Sequence, residues 1–373
     1  MLFTVVPTFL VWLPFLLKSE SFLGIPLPQN GLQTVVANYD GPLYLVVTKT
    51  LYSANLIKEN FAFPLPVEYY AAHFPLFPVL IRLFANITYA PYAMLIVTVA
   101  SAFIAHLYFF KLARTYLDTE KSMFLTAIFS IFPARWLIVR SVGSPEPLFI
   151  AAIIAAIYYF KNKKYLLSGI FGAAAQLTKS PGILLFIAFV GVWAIDTLQK
   201  MSIVNKNFKY HFSPKALAIL LIPASLLAVF CIYKLTFGSF TAYFSSGDNI
   251  HIFFPPFQIF NYSAPWVGTF WLEEILFIYS LGLLGVIHLI KDKDYIPATF
   301  SLVFFLTLIF VSHRDLLRYS LPLVPFVLIS FRKLLVSKEF KIVFLFLLVP
   351  IYLYSISFVS QNVMHISDWT PFL

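Results

Sequence analysis

Ala90-Pro-Tyr-Ala-Met-Leu-Ile-Val-Thr-Val-Ala-Ser-Ala-Phe-Ile-Ala-His-Leu-Tyr-Phe-Phe110 runs for 21 residues without an acid, a lysine or an arginine and stops at Lys111. A helix of that length rises ~30 Å, which is the thickness of a bilayer's hydrocarbon core. Phe3–Leu17, Ala216–Tyr233, Ala298–Val311 and Val343–Phe358 approach the same pattern. The chain has 373 residues, of which 60% are apolar and 11% charged, and it carries 43 Phe, more apolar sequence than one soluble core requires. The alternating pattern of membrane barrel strands is absent. The expectation is an all-α polytopic membrane protein whose first span is retained as an anchor and not removed as a signal peptide.

A net charge of +10 raises nucleic acid as a partner, but the distribution argues against it. The cations fall in short bands between apolar stretches, as in cytoplasmic loops. The bands are Lys111, Arg114 and Lys121; Lys161, Lys163 and Lys164; Lys200, Lys206, Lys209 and Lys215; Lys291 and Lys293; and Arg332, Lys333, Lys338 and Lys341. Together they hold 16 of the 26 Lys and Arg, so charge marks sidedness here and nucleic acid is not expected. The one cysteine, Cys231, lies inside a predicted span, which leaves no disulfide framework.

Apolar stretches between these bands come in pairs, giving about eleven spans with a cytoplasmic N-terminus. Parity makes His73–Phe84 a short juxtamembrane or re-entrant helix. No linker or repeat divides the chain, so residues 1–373 are expected to form one domain, with outer loops over 19–72 and 238–272. The same threading places Asp40, Glu68, His73, Arg140, Glu146, Lys179 and the Arg314–Arg318 cluster on the outer side of a cell membrane, or the lumenal side of an endoplasmic reticulum membrane.

Asn38-Tyr39-Asp40-Gly41-Pro42-Leu43-Tyr44 places an acid in the first outer loop. After Pro42 the residues Leu43, Val46, Val47, Leu51, Ala54 and Ile57 share one face, which predicts an amphipathic helix lying at the membrane surface. Asp40 then suits an N-cap, and equally a base acting on a hydroxyl. His313-Arg314-Asp315-Leu316-Leu317-Arg318-Tyr319 opens a late span with charges, and charges so near hydrocarbon are often functional. An arginine there suits a phosphate, while an Asp315–Arg318 pair at i,i+3 spacing is the structural alternative. Arg140 and Lys179 are further cationic candidates, or snorkelling anchors. Glu146 starts a helix, where the dipole favours a carboxylate. His73 suits donation to a substrate oxygen or an ordinary structural role. Asp292-Lys-Asp294 imitates an acid-x-acid metal motif but falls inside, as a solvated turn. Asn86-Ile-Thr88 and Asn261-Tyr-Ser263 fit the glycan acceptor pattern. No phosphate-cradling glycine loop and no zinc spacing occur, so no cofactor is expected and a divalent cation is left open.

In these residues the chain resembles integral-membrane glycosyltransferases of the GT-C superfamily, most closely the GPI-mannosyltransferase II (PIG-V)-like family and its prokaryotic relatives. The likeness rests on Tyr39-Asp40-Gly41-Pro42-Leu43-Tyr44-Leu45, His73-Phe74-Pro75-Leu76-Phe77-Pro78, Ser144-Pro145-Glu146-Pro147 with Gln176-Leu177-Thr178-Lys179-Ser180-Pro181-Gly182, and Arg318-Tyr319-Ser320-Leu321-Pro322. Tyr39 stands where the family commonly has Trp, and Ser-Pro-Glu-Pro replaces its Ser-Glu-Pro. The resemblance implies a GT-C-like bundle and transfer of a mannosyl or other hexosyl group, with inversion, from a polyprenyl- or dolichyl-phosphate donor to a glycan, glycolipid or protein acceptor. It implies Asp40 as catalytic base. The donor and substrate candidates are Tyr39, Tyr44, Glu68, His73, Arg140, Glu146, Lys179, Arg314, Arg318 and Tyr319. The rival class is a multispan transporter or flippase of a lipid-linked solute, which would place ionisable sites near the midplane.

Overall fold

Proline, glycine and charged turns cut the apolar sequence into helices of unequal length. The structure is a computed structural model and describes residues 1–61, 63–203, 214–261, 263 and 272–373. Its principal helices are α1 (Leu2–Leu16), α2 (Gly41–Thr50), α3 (Leu76–Phe84), α4 (Ala90–Ala113) and α5 (Thr119–Ile131). There follow α6 (Ala134–Val139), α7 (Glu146–Lys161), α8 (Tyr165–Thr178), α9 (Ile183–Ile203) and α10 (Leu221–Phe237). The last are α11 (Leu272–Lys291), α12 (Tyr295–Leu308), α13 (Leu316–Ser320), α14 (Val324–Ser330) and α15 (Lys338–Gln361). The named strands among the described residues are Ser21–Phe22 and Ile25–Pro26, which form a two-stranded hairpin.

The chain is all-α with the apolar helices of a membrane protein. Among the described residues, five helical segments are long and apolar enough to cross a bilayer: Ala90–Ala113, Ser180–Thr197, Lys215–Phe237, Leu272–Lys291 and Lys338–Gln361. Leu2–Leu16, Tyr165–Thr178, Tyr295–Leu308 and Leu316–Ser330 are apolar but shorter. The length criterion is thus met by five helices where the sequence led us to expect about eleven. The stretch 298–311 is one reason, because its helix ends at Leu308 and residues 309–312 pair instead with 251–257. His73–Phe84 yields the expected short element, since α3 has nine residues and rises only ~13 Å.

Helix α7 separates two charged clusters. It begins at Glu146 and ends at Lys161, a rise of ~22 Å. At the Lys161 end, Nζ sits 2.8 Å from Asp294 and donates to Tyr116 Oη at 2.8 Å, while Arg332 bonds Asp292 at 2.7 Å. Asp292 and Lys293 are exposed, as expected of a solvated turn, and the turn is also anchored, Asp294 to α7 and Asp292 to Arg332. Asp118 and Ser337 each cap the helix that follows them. Lys206, Lys209, residues 262 and 264–271 of the outer loop, and the middle of Asn261-Tyr-Ser263 lie outside the described residues.

The expected surface helix after Pro42 is instead an interior one. Every residue of α2 is buried except Lys49, which is half-buried, and the helix packs on α3 and α4. Its polar side can enter the core because Thr48 and Thr50 donate their hydroxyls to the carbonyls of Tyr44 and Val46, each at 2.8 Å. The apolar face predicted to reach Ile57 is interrupted at Leu51 and Tyr52, whose left-handed backbones (φ 48° and 68°) end the helix.

Candidate functional site

The site starts from the turn before α2. Tyr39 holds a left-handed backbone (φ 49°), unusual for an aromatic residue and a conformation that its surroundings must enforce. Asn38 supplies part of that restraint. Its amide donates to the carbonyls of Thr34 and Val359 at 2.9 Å, and Met364 N–H bonds Ala37 O at 2.7 Å, so the C-terminal segment clamps the turn. Gly41 permits it sterically: a Cβ there would lie 2.5 Å from Val36 O and 3.2 Å from Gly143 O. The close approach brings the Asp40 turn against the loop that leads into α7.

Asp40 stands at the start of α2, yet its side chain does not cap the helix. Oδ2 accepts instead from Arg318 Nη2 at 3.3 Å. Arg318 Nε donates to Glu146 Oε1 at 2.7 Å, and Lys179 Nζ donates to the same oxygen at 2.7 Å. Ser144 Oγ donates to Oε2. Glu146 is 4% exposed, Arg318 12%, Lys179 24% and Asp40 41%, so a buried acid holds two cations and one of them presents an exposed acid. Two acids balance two cations, as burial of such a group requires. The guanidinium of Arg318 also lies over the Tyr39 ring, 4.2 Å from its centre.

A second pair borders the first. Arg135 Nε is 3.1 Å from Asp315 Oδ1, a charge contact without hydrogen-bond alignment. Arg135 Nη1 donates to Tyr39 Oη at 3.0 Å, and its guanidinium lies 4.0 Å above the Phe358 ring. Asp315 thus pairs with Arg135 and not with Arg318, which removes the i,i+3 pair that was the structural alternative. Beside both pairs opens a cavity of about 860 Å³, lined by Asp40, Arg135, Arg314, Asp315, Arg318 and Glu274 among others. Arg314 is exposed and has no ion-pair partner among the described residues. Burial pushes the Asp315 carboxyl above the usual carboxylate range, against the pull of Arg135 and Arg318.

Three histidines flank the acids. His73 is buried against the Tyr44 ring at 4.6 Å, and its Nδ1 has no hydrogen-bond partner among the described residues. Burial lowers its pKa to about 4, although Asp40 pulls it upward. His313 Nδ1 accepts from Asp315 N–H at 3.0 Å, and its ring lies 4.4 Å from that of His251, with Tyr319 edge-on to both. Burial first, then His251, Arg318 and Arg314, bring His313 down to about 4, and burial lowers His251 as well. Burial thus favours the neutral form of all three.

Asp40, Tyr39, Glu146, Lys179, Arg318 and Arg314 therefore come together as one group, with Tyr44, His73 and Tyr319 packed around it. Lys179 is bonded inside the network and is not a snorkelling anchor; Glu146 opens α7 as expected and is bonded inside the network as well. Arg140 is not part of it. Arg140 is fully buried, and its guanidinium is consumed by Ser130 O at 2.7 Å, Thr4 O at 3.0 Å and Thr8 Oγ1 at 2.8 Å, so it ties α1 to α5. Glu68 is exposed and makes no ion pair among the described residues. Arg135, Glu274 and His251 escaped the sequence reading. A lone arginine in the apolar stretch 122–139 was the available signal for the first. Among the described residues, no group of three or more His, Cys, Asp or Glu is placed to hold a metal ion. No protein-family model matches the chain, and no curated protein matches it in sequence.

Proposed function

We propose that the chain is a GT-C-like membrane glycosyltransferase of about eleven spans, moving a hexosyl group from a polyprenyl-phosphate donor at the outer or lumenal face. The observation that supports this best is the exposed Asp40 carboxylate, fixed by Arg318 on the rim of a cavity that also holds the unpaired Arg314.

In this reading the acceptor hydroxyl gives its proton to Asp40 as its oxygen attacks the anomeric carbon. The bond from that carbon to the phosphate oxygen breaks on the opposite side, the configuration inverts, and the lipid leaves as a monophosphate. Arg318 has its Nε and Nη2 committed to Glu146 and Asp40, so its main task is to orient the base. Arg314 brings the positive charge free to meet the departing phosphate. A phosphodiester donor carries one negative charge, which one spare cation matches. The flippase alternative fits less well, because the acids and cations of the site lie at one end of α7 and not midway along it.

Reconstitution tests the proposal. Purified protein in proteoliposomes should move radiolabelled hexose from a polyprenyl phosphate to an added glycan or glycolipid, with inverted anomeric configuration. Translocation of the intact lipid without cleavage of the sugar–phosphate bond, or transfer from a nucleotide sugar alone, would contradict it.

A further inference from the structure

The segment between α10 and α11 bares an unusual amount of aromatic surface. Phe240, Phe244, Ile252, Phe253, Phe254 and Phe257 are all exposed, Phe254 at 87% and Phe244 at 62%. A contiguous apolar patch of this kind marks a surface that something covers. What covers it follows from where the rings lie along the neighbouring spans.

Helices α11 and α12 run antiparallel from the turn at 292–294, with Tyr279 edge-on to Phe305 at 6.1 Å. The first has 20 residues and rises ~30 Å, the second 14 residues and ~21 Å. Helix α12 thus stops ~9 Å short of the far end of α11. Residues 309–312 cover that deficit without being helical, and 251–257 supplies their hydrogen bonds. Phe253 N–H donates to Phe310 O at 2.9 Å, Phe257 N–H to Ile309 O at 2.8 Å, and Ser312 N–H to His251 O at 2.8 Å. Lipid offers a broken span no hydrogen bonds, so a partner segment is what a bilayer demands there. Pro255 and Pro256, between the two donors, have no N–H to satisfy.

The rings report depth on both sides of the segment. Phe257 packs on Tyr279 at 5.9 Å, and Tyr279 lies five residues, ~8 Å, beyond Glu274, which with Glu273 forms the exposed acidic start of α11. Phe240 and Phe244 fold back onto Phe230 at 5.3 and 6.2 Å, and Phe230 lies seven residues, ~10 Å, before the end of α10. Leu272–Lys291 and Lys215–Phe237, which carry these two contacts, are each long and apolar enough to cross a bilayer. The aromatic surface therefore lies beside the ends of two spans and not beyond them.

From this placement we infer that 240–257 is a re-entrant membrane anchor, with Phe244, Phe253, Phe254 and Phe257 covered by lipid acyl chains. Lipid fits better than a protein partner for two reasons. Ile252-Phe-Phe-Pro-Pro-Phe257 has no charged or hydrogen-bonding side chain with which to specify a partner. Leu276, one turn from Tyr279 on α11, is also exposed, so the patch continues the apolar surface of a span. The same segment holds His251 against the rings of His313 and Tyr319, at 4.4 and 5.4 Å, which ties the anchor to the edge of the Asp40 group. The anchoring does not depend on which reaction the site performs.

The test uses the full chain in phosphatidylcholine nanodiscs, in a Cys231→Ser background, with single cysteines carrying a nitroxide. At Phe244→Cys and Phe254→Cys, collisions with a polar nickel chelate should be about tenfold rarer than at the exposed Asp248→Cys, a modest share of the cost of moving a polar solute into hydrocarbon. Molecular oxygen, which concentrates in lipid, should collide as freely as at Phe277→Cys on α11. Nickel collisions as frequent as at 248 would put the rings in water and overturn the anchor. Low rates with both reagents would mean a protein cover and overturn it equally. If a variant does not fold, the unmodified chain decides. A phosphatidylcholine with a diazirine on its acyl chain should then label 252–257, and a water-soluble diazirine should not; the reverse pattern would contradict the anchor.

Discussion

Arg318 donates through Nε to Glu146 at 2.7 Å and through Nη2 to Asp40 at 3.3 Å, so one guanidinium joins a buried acid to one open to the cavity. The geometry depends on a planar fork with donors on two edges. A lysine ammonium, held by either acid, cannot fix the other in the same plane.

Arg318→Lys should therefore retain the charge and lose the orientation of Asp40. The missing charge-assisted hydrogen bond is worth about 1.5–3 kcal/mol, so sugar transfer should fall ~10–100-fold while the donor still binds. Transfer kinetics and donor affinity measured on the same preparation check this. Unimpaired turnover would mean that Asp40 needs no such support.

Glu146 tests the same network from behind. Glu146→Gln keeps shape but removes the charge that holds Lys179 and Arg318, and breaking a buried pair typically costs ~3–5 kcal/mol. The variant should melt at lower temperature in detergent and transfer slowly. Adding Lys179→Met removes one of the uncompensated cations and should restore part of the lost stability, a coupling that a double-mutant cycle measures. Strictly additive losses would show that the two side chains do not act together.

Acid should loosen the end of the bundle that holds His313. His313 has its pKa lowered to about 4 in the folded protein, against an ordinary value of 6.5. Between those values the unfolded chain binds more protons than the folded one, so stability is complete above pH 6.5 and falls as pH drops toward 4. His313→Gln should flatten that part of the stability profile, with His251 accounting for some of what remains. A slope identical in wild type and variant would assign the effect to other groups.

Composition was enough to read an all-helical membrane chain, because lipid forces each spanning backbone to satisfy its own hydrogen bonds. Helix lengths were less legible, since where 309–312 leave α12 depends on a partner segment 50 or so residues away in the outer loop. Asp40, Glu146, Lys179 and Arg318 stood out because charges are scarce in such a sequence. Their mutual contacts did not, as spacing along the chain says nothing about which of four distant turns converge. Arg140 and α2 misled for one physical reason: carbonyls and back-bonded threonine hydroxyls can satisfy polar groups inside a bundle, so an arginine or a polar helix face need not mark a surface. Arg135, a lone charge in an apolar stretch, carried the same signal and was overlooked; its ring and carboxylate partners place it beside Tyr39 and Asp315.

The account rests on Asp40, and Asp40→Asn is its most direct test. The amide conserves size, the side chain does not cap α2, and the pair it makes with Arg318 is long and 41% exposed on the Asp40 side, so stability should change little. It cannot take a proton from an acceptor hydroxyl, and losing a general base typically costs ~10²–10⁴-fold in rate. We predict a folded, membrane-inserted Asp40→Asn protein that binds polyprenyl-phosphate hexose nearly as wild type does and transfers almost no sugar. Transfer at the wild-type rate by that folded variant would contradict the account.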